Sequence, residues 1–319
     1  MLNQANAPRR FDKRGITALE SMFTSPTVRR AVQDAPHIAR RRDLSVVEFD
    51  YEYRGRETPV LIEGITDDWP AFRRWSFSYL AERCGTCRVV VNGYDNHSSR
   101  EMSLTDFTQL LDTAESDGES PAYVQEWYYK EAAPDLAHDI PELEIAQYDF
   151  RRSLYGADIS TNHHLSIGQR GAVTMLHQDS YMVDVIHVQL VGEKRWHVLS
   201  PAAQLHFDND GGVDFERLLR DPATRLMQCV LRPGEALYLP ALWWHRVELL
   251  SDSIGLSRKC LDPRHLQTHI RLRMAELLAV ALNAAEVSRT HPELYPQVVR
   301  RAHTWAQRMN IDLSQLEPD

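Results

Sequence analysis

The feature that most constrains this chain is a strand-like stretch between residues 171 and 199, because it places a histidine and an aspartate two positions apart. His177 and Asp179 are separated by one residue, and on a β-strand such side chains point to the same face. The sequence therefore predicts that an imidazole and a carboxylate converge. Two histidines and one carboxylate form the facial triad of non-haem Fe(II) sites, which leaves coordination positions open for a co-substrate and dioxygen.

The third metal ligand that the sequence predicts is His245. It ends a segment, 233–245, in which a Pro-Gly turn leads into an alternating apolar strand and then into a corner with two tryptophans. A strand this distant in sequence reaches the first pair when a sheet closes on itself as a barrel. A lone His-x-Asp occurs often by chance, so the prediction of an iron site depends on its combination with this downstream segment.

Together the two segments resemble the iron- and 2-oxoglutarate-dependent oxygenases of the JmjC, cupin-like class. The sequence is most similar to the asparaginyl hydroxylase that inhibits hypoxia-inducible factor and to its bacterial relatives. The resemblance extends from about Val47 to about Lys259, and its main stretches are Leu165-Ser-Ile-Gly168, Gly171-Ala-Val-Thr-Met-Leu-His-Gln-Asp179, Val191-Gly-Glu-Lys-Arg195 and Pro233-Gly234 through Trp243-Trp-His245. It implies a jelly roll that holds Fe(II) and takes 2-oxoglutarate as co-substrate.

We expect a mainly β fold, a double-stranded β-helix (jelly roll) with flanking N-terminal helices and a C-terminal helical pair. The predicted domains are an arginine-rich N-terminal extension at 1–43, a catalytic jelly roll at 44–262 and a helical segment at 263–319. Segment 201–228 is an insertion between barrel strands that fits a lid or a structural excursion equally well. In the resembling family the C-terminal helices often form a dimer interface, which implies a homodimer.

The composition describes an ordinary globular protein and argues against several classes of function. Its 319 residues are 43% hydrophobic and 25% charged, without an apolar membrane span or signal core, so we expect a cytoplasmic protein with no membrane partner. The formal net charge of -9 argues against a general nucleic-acid-binding protein. The four cysteines are too few for a disulfide scaffold, and Cys84-Gly-Thr-Cys87 lacks the second pair of a zinc site.

The far carboxylate of 2-oxoglutarate needs a fixed cation in a mostly apolar cavity, and two residues qualify. Lys194 is the main candidate, because the chain has only four lysines and this one matches a Gly-x-Lys-Arg position of the family. Arg258 is the rival, since many oxygenases of the wider superfamily use an arginine on the final strand. The resemblance adds Thr174 and Tyr123 as co-substrate contacts, although a buried structural role fits Tyr123 too. His187 fits a co-substrate contact or a structural role.

Candidate substrate contacts come from a predicted strand at residues 123–127 and from the residues that follow Asp179. Tyr123, Gln125 and Trp127 share one side of a predicted strand. Polar side chains that point into a barrel are typical of a hydrated opening where a ligand binds. We therefore expect Gln125 and Trp127, together with Tyr181, to contact the substrate.

These residues predict an Fe(II)- and 2-oxoglutarate-dependent dioxygenase that uses dioxygen to hydroxylate an unactivated C–H bond. By analogy with the family, the substrate is an amino-acid side chain of a protein or peptide. Two alternatives stay open, a small-molecule oxygenase of specialised metabolism and a non-catalytic, cupin-like metal-binding module. Demethylation of N-methyl lysine is the weaker interpretation, because nothing in the sequence suggests chromatin targeting.

Overall fold

The computed structural model describes residues 25–92, 99–113, 121–156, 163–204 and 214–275, together with residue 289. Its strands are β1 Arg40–Arg42, β2 Val60–Glu63, β3 Arg88–Asn92, β4 Ser99–Ser103, β5 Tyr123–Trp127, β6 His163–Gly168, β7 Val173–His177, β8 Asp184–Val191, β9 Lys194–Leu199, β10 Leu226–Leu231, β11 Ala236–Leu239, β12 Trp244–Leu249 and β13 Ser253–Cys260. They form a nine-stranded sheet in the order β1-β2-β11-β8-β13-β6-β5-β3-β4 and a four-stranded sheet in the order β10-β9-β12-β7.

Short helices surround these sheets. They are Pro26–Gln33, Val46–Glu48, Ala71–Arg74, Phe77–Cys84, Leu104–Thr113, Tyr129–Ala132, Arg151–Tyr155 and Phe215–Arg220, and a helix that begins at residue 266 is described through residue 275. A π-helical turn spans Phe49–Arg54, and 3-10 turns span Pro134–Asp139, Glu144–Ala146, Ser180–Met182 and Pro263–His265. Among the described residues, no helix is both long enough and apolar enough to span a bilayer.

Serine caps begin several of these helices, including those at Phe77 and Leu104. The hydroxyl of Ser76 accepts a hydrogen bond from the backbone N–H of Tyr79 at 3.0 Å. The hydroxyl of Ser103 accepts from the N–H of Asp106 at 3.1 Å and donates to its carboxylate at 2.6 Å. Each cap satisfies a backbone donor that the first turn of a helix leaves unpaired.

The strands from β6 to β13 cross repeatedly between the two sheets. β6, β8, β11 and β13 lie in the large sheet, and β7, β9, β10 and β12 form the small one. Within the large sheet β13 pairs antiparallel with β6 and β8, and within the small sheet β12 pairs antiparallel with β7 and β9. This topology is the double-stranded β-helix, so the predicted jelly-roll fold is confirmed.

The alternation of side chains along β8 divides the apolar core into two parts. Ile186 and Val188 belong to an outer cluster, in which N-terminal helices pack against the large sheet. Val185 belongs to an inner cluster between the two sheets, where it meets Trp196 and Val198 of β9. Successive strand residues point to opposite faces, so the same alternation brings polar residues of these strands into the space between the sheets.

The outer face of the small sheet is covered by two helices. Val28 and Val32 of the first helix pack with Phe215 and Leu218 of helix Phe215–Arg220 and with Leu199 of β9. The described part of the 201–228 insertion therefore supports the small sheet from outside. Residues 205–213, residues 1–24 of the arginine-rich N-terminal extension and nearly all of the C-terminal helical segment after residue 275 lie outside the described residues.

The arginine run at 40–42 forms edge strand β1, which runs parallel to β2. Arg40 forms ion pairs with Glu63, at 2.8 Å, and with Glu235. Arg42 lies 3.6 Å from Glu63 and 3.5 Å from Asp67. Charged side chains on an edge strand oppose pairing with another chain. Acidic neighbours therefore compensate the charges of Arg40 and Arg42.

Candidate active site

A pocket with an empty volume of about 560 Å³ lies between the two sheets. Its wall is formed by side chains from β5 to β9 and from β12 and β13. The deep part is formed by residues that are almost fully buried, such as Lys194 and His187, whereas Glu126 reaches the exposed mouth. The pocket is therefore a polar cavity inside the jelly roll with one open end.

The three predicted metal ligands meet in this pocket. His177, Asp179 and His245 each offer a ligand atom, and these atoms lie within 4.8 Å of one another. The two histidines are direct partners in the β7–β12 ladder, and their ring centroids are 4.1 Å apart. Oδ2 of Asp179 lies 3.5 Å from Nε2 of His245. Strand β7 ends at His177 and does not continue to Asp179 as the sequence predicted. The backbone at Asp179 is nevertheless extended, which keeps the side chains of His177 and Asp179 on one side.

Backbone carbonyl groups fix both imidazoles with Nε2 toward the centre of the triad. Nδ1 of His177 donates to the carbonyl oxygen of Met175 at 2.8 Å, and Nδ1 of His245 donates to that of Trp243 at 3.1 Å. A carbonyl oxygen only accepts, so each Nδ1 carries the proton and each Nε2 presents a lone pair. Burial, reinforced by His177, lowers the pKa of His245 to about 4. The neutral imidazole that a metal requires is thus the stable form near neutral pH.

A β-bulge brings Thr174 into the pocket beside His177, although the two residues are three positions apart. His245 pairs with His177, but Val247 pairs with Thr174, so the register shifts by one residue between them. A regular strand would place residues three apart on opposite faces, and a bulge reverses that alternation. The Thr174 hydroxyl lies 3.5 Å from the hydroxyl of Tyr123, which also lines the pocket.

Lys194 is a fully buried cation at the closed end of the pocket. Its ammonium donates to the hydroxyl of Ser166 at 2.7 Å and lies 5.7 Å from the centre of the Tyr123 ring. Burial lowers the pKa of Lys194, although Tyr123 opposes the shift. Among the described residues no carboxylate forms an ion pair with it. A buried charge without a counterion is costly, so this site fits the carboxylate of a bound ligand.

Glycine at position 255 makes room for the two innermost polar groups. A β-carbon on Gly255 would lie 2.5 Å from Nε2 of His187 and 3.0 Å from Nζ of Lys194. Nδ1 of His187 lies 2.7 Å from the Ser257 hydroxyl, while its buried Nε2 has no hydrogen-bond partner within the described residues. Burial, reinforced by Lys194, holds the pKa of His187 well below its usual value. The cavity thus contains a neutral imidazole nitrogen that a ligand could contact.

The sequence matches the cupin-like domain family over residues 46–259. The chain belongs to the cupin-like family. This match includes the whole jelly roll from β6 to β13 and all three residues of the metal-binding triad. Fe(II) and 2-oxoglutarate are the cofactors of the JmjC proteins in this family, and the donor set of two imidazoles and one carboxylate fits Fe(II).

Curated relatives of this cupin-like chain include JmjC proteins, which confirms the predicted resemblance to the JmjC, cupin-like class. Lysine-specific demethylase JMJ21 of Arabidopsis thaliana is 26% identical over 275 residues, covering 77% of this chain and 29% of that protein. Lysine-specific demethylase 8 of Xenopus tropicalis is 30% identical over 67% of this chain and 50% of that protein. The bifunctional arginine demethylase and lysyl-hydroxylase psr-1 of Caenorhabditis briggsae is 22% identical over 65% of this chain and 56% of that protein. The chain therefore spans 29% to 56% of these relatives.

The rival co-substrate anchor, Arg258, lies on the other side of the cupin-like domain's last strand. Ser257 and Lys259 line the pocket, so Arg258 between them points to the outer face, where it forms an ion pair with Glu142. It does not belong to the pocket wall, and the interpretation of Arg258 as the anchor is corrected on this ground. Alternation along a regular strand is the physical reason.

Trp127 also lies outside the pocket, contrary to the expectation that it contacts the substrate. The pairing of β5 with β6 shifts between Val124 and Trp127. Because of this bulge, the consecutive residues Gln125 and Glu126 both line the pocket, and Trp127 turns into the outer apolar cluster together with Val124. A bulge places one extra residue on the strand and so exchanges the two faces beyond it.

Tyr181 lies next to the metal-binding triad but is not part of the pocket wall. It has a left-handed backbone with φ of 67°, and Met182 follows with φ of 57°. The Tyr181 carbonyl accepts a hydrogen bond from Nδ1 of His269 at 2.7 Å, and the Arg273 guanidinium stacks on its ring at 3.6 Å. The expectation of a substrate contact inside the pocket is corrected, because this turn directs the ring toward the helix that begins at residue 266.

Several pocket residues escaped the sequence analysis, among them Lys259 and His164. Lys259 places Nζ 3.4 Å from Oδ1 of Asp179 and 3.1 Å from Oε1 of Glu126. His164 of β6 lines the pocket as well. Lysine is so scarce in this chain that Lys259 could have been found by the reasoning that selected Lys194. The role of His164 follows only from its strand face, which no motif indicates.

Proposed function

We propose that this chain is an Fe(II)- and 2-oxoglutarate-dependent oxygenase that acts on an amino-acid side chain of a protein or peptide. The observation that carries this proposal is the combination of the triad with the buried Lys194 ammonium in one pocket. A metal-binding module without a dicarboxylate ligand has no use for a cation whose burial is costly. The relatives have the names of lysine and arginine demethylases and of a lysyl-hydroxylase. These names support oxidation of protein side chains.

Each part of the site has a defined task in this proposal. Nε2 of His177, Nε2 of His245 and the Asp179 carboxylate would hold Fe(II), which together with 2-oxoglutarate supplies the oxidising power. Lys194 would bind the far carboxylate of 2-oxoglutarate, aided by the hydroxyl of Ser166, which already accepts its hydrogen bond. Apolar and aromatic residues around these groups limit access of water, which strengthens the charge interactions inside the pocket.

Thr174, Tyr123 and His187 complete the proposed co-substrate contacts. The hydroxyls of Thr174 and Tyr123 lie 3.5 Å apart on facing strands, so one carboxylate oxygen can accept from both. Nε2 of His187 is buried and has no partner within the described residues. These neutral groups add hydrogen bonds and orientation, while Lys194 supplies the compensating charge.

We favour hydroxylation of an uncharged group over removal of a methyl group from a cationic nitrogen. A methylated lysine or arginine would place its own charge close to the metal, where the Lys259 ammonium lies 3.4 Å from Asp179. Two like charges about 4 Å apart repel by roughly 4 kcal/mol at an effective dielectric constant near 20. The described carboxylates of the pocket wall, Asp179 and Glu126, already contact Lys259.

The position of the 201–228 insertion supports a peptide rather than a small molecule. A lid over the pocket would favour a small enclosed substrate, but the described part of this insertion packs on the outer face of the small sheet. Gln125 and Glu126 lie at the pocket mouth on the bulge of β5. They would contact the substrate backbone or side chain as it enters.

The test combines co-substrate binding with product analysis. Anaerobic titration of the Fe(II) protein with 2-oxoglutarate should produce a visible charge-transfer band, and H177A should abolish both the band and succinate formation. H138A, at an exposed histidine outside the pocket, is the matched control. A substrate peptide in a library incubated with the enzyme should gain one oxygen atom. Absence of the band in the wild-type protein would refute the oxygenase, and loss of a methyl group from cationic peptides would refute the preference for hydroxylation.

A further inference from the structure

Asp179 is held differently from the two histidines of the triad. His177 and His245 lie in paired strands and have their rings fixed by backbone carbonyls. Asp179 lies beyond the end of β7, at the start of a turn with left-handed residues. Within the described residues its carboxylate contacts the side chains of His245 and Lys259. The direction of this ligand therefore depends on side-chain contacts.

Lys259 is placed to hold that carboxylate from the opposite wall of the pocket. Its backbone is fixed in β13, where it pairs with Val185 of β8. Nζ lies 3.4 Å from Oδ1 of Asp179 and 3.1 Å from Oε1 of Glu126, so two carboxylates hold the ammonium from two sides.

We propose that Lys259 is a positioning residue that binds Oδ1 of Asp179 and thereby directs Oδ2 toward the metal. The two oxygens are already distinguished in the structure, because Oδ2 lies 3.5 Å from Nε2 of His245 while Oδ1 faces Lys259. The result is a carboxylate that offers one oxygen to the metal and leaves the remaining coordination positions free. This inference rests on the proposed function for its purpose, but the contact can be tested without turnover.

Two effects of Lys259 on metal affinity have opposite signs. Its charge withdraws electron density from the carboxylate and repels a cation, which weakens metal binding. Its contact orders a side chain on a turn, which strengthens metal binding because less conformational freedom is lost. Loss of a residue that orients a metal ligand typically lowers metal affinity by about 10- to 100-fold. We assign the larger effect to orientation, since Asp179 has no strand partner to fix it.

The experiment measures Co(II) and Fe(II) affinity of the purified apoprotein under anaerobic conditions. K259M should weaken binding by about 10- to 100-fold and alter the Co(II) absorption spectrum, and K259R should retain most of the affinity. If K259M does not fold, K259Q replaces it. Unchanged or tighter binding by the neutral variant, with an unchanged Co(II) spectrum, would overturn the proposal.

R258M is the matched control, because it removes a neighbouring positive charge that points to the outer face of the same strand. Its metal affinity should equal that of the wild-type protein. Equal weakening by R258M and K259M would show a general structural effect of substitutions in β13 and contradict positioning. Failure of the proposed function is distinguishable, because a protein that binds Co(II) through His177 but gives no band with 2-oxoglutarate loses the oxygenase proposal while the role of Lys259 is still measured.

Discussion

His187 and Gly255 lie diagonally across the adjacent strands β8 and β13, where His187 pairs with Ser257, and the absence of a side chain at residue 255 leaves space for the imidazole. A β-carbon there would lie 2.5 Å from Nε2 of His187, closer than such contacts are found in proteins. The same β-carbon would approach the Lys194 ammonium. One small residue therefore determines the space available to two groups at the closed end of the pocket.

We predict that G255A weakens 2-oxoglutarate binding more than it weakens metal binding. The added methyl group must displace His187 or Lys194, whereas the triad lies on β7, on the turn after it and on β12. Overpacking of this kind costs about 1–3 kcal/mol, which corresponds to roughly 5- to 150-fold in co-substrate affinity. Isothermal titration with 2-oxoglutarate and separately with Co(II) measures both. Equal losses for the two ligands would contradict this assignment of the pocket.

Replacement of each candidate co-substrate anchor, Lys194 or Arg258, by methionine should separate their roles. K194M should lower 2-oxoglutarate affinity by roughly 10- to 100-fold, because a charged hydrogen bond contributes about 1.5–3 kcal/mol. R258M should leave that affinity unchanged and instead lower the free energy of unfolding, because it leaves Glu142 without its buried partner. Binding titrations and urea denaturation of both variants give the comparison. A large loss of affinity in R258M with none in K194M would reverse the assignment.

The turn after Asp179 should loosen when its hydrogen bond to the last described helix is removed. Left-handed backbone at Tyr181 and Met182 costs roughly 1–2 kcal/mol per residue, and His269 holds the turn by donating to the Tyr181 carbonyl at 2.7 Å. H269A should speed hydrogen exchange of peptides across residues 180–184 by about fivefold, the equivalent of one hydrogen bond of about 1 kcal/mol. Y155F is the control. It removes only the hydroxyl that lies 2.9 Å from Nε2 of His269, so its effect should be smaller.

Stability should fall as the pH decreases from 7 to 5. Burial lowers the pKa of His163 to about 2 and the pKa values of His164 and His197 to about 4. In this interval the unfolded chain binds protons at these histidines and the native protein does not, so each contributes a slope of up to about 1.4 kcal/mol per pH unit. Asp184 opposes this loss of stability, because burial raises its pKa to about 6. As the pH falls, the native protein therefore binds a proton at Asp184 before the unfolded chain does. Three histidines outweigh this one carboxyl group.

Urea denaturation of the wild-type protein and of H163Q between pH 7 and pH 5 measures this effect. H163Q should lower the slope of the unfolding free energy by about one proton, and H138Q, at an exposed position, should not. A wild-type protein whose unfolding free energy is constant or rises toward pH 5 would contradict the prediction.

The resemblance to the JmjC, cupin-like class implied the jelly roll, and the spacing of His177 and Asp179 together with segment 233–245 predicted the metal-binding triad. His177 and Asp179 converge after a short run of extended backbone, and the scarcity of lysine identified Lys194 as a pocket residue. Bulges account for the positions of two residues, whereas regular alternation along β13 turned Arg258 outward and a left-handed turn directed Tyr181 away from the pocket. Trp127 turned outward and Thr174 turned inward because register shifts in β5 and β7 exchange the faces. A register shift depends on pairing with distant strands, and no local pattern in these residues indicates it.

The pairing of His177 with His245 in one ladder joins segments that the ribosome produces far apart in time. A nascent chain that ends before β12 carries an imidazole and a carboxylate but lacks the second imidazole. Lys259 of β13 emerges later still. The complete triad therefore cannot form on a nascent chain that ends before β12, and by then the strands β5 to β9 of the pocket wall have already been synthesised.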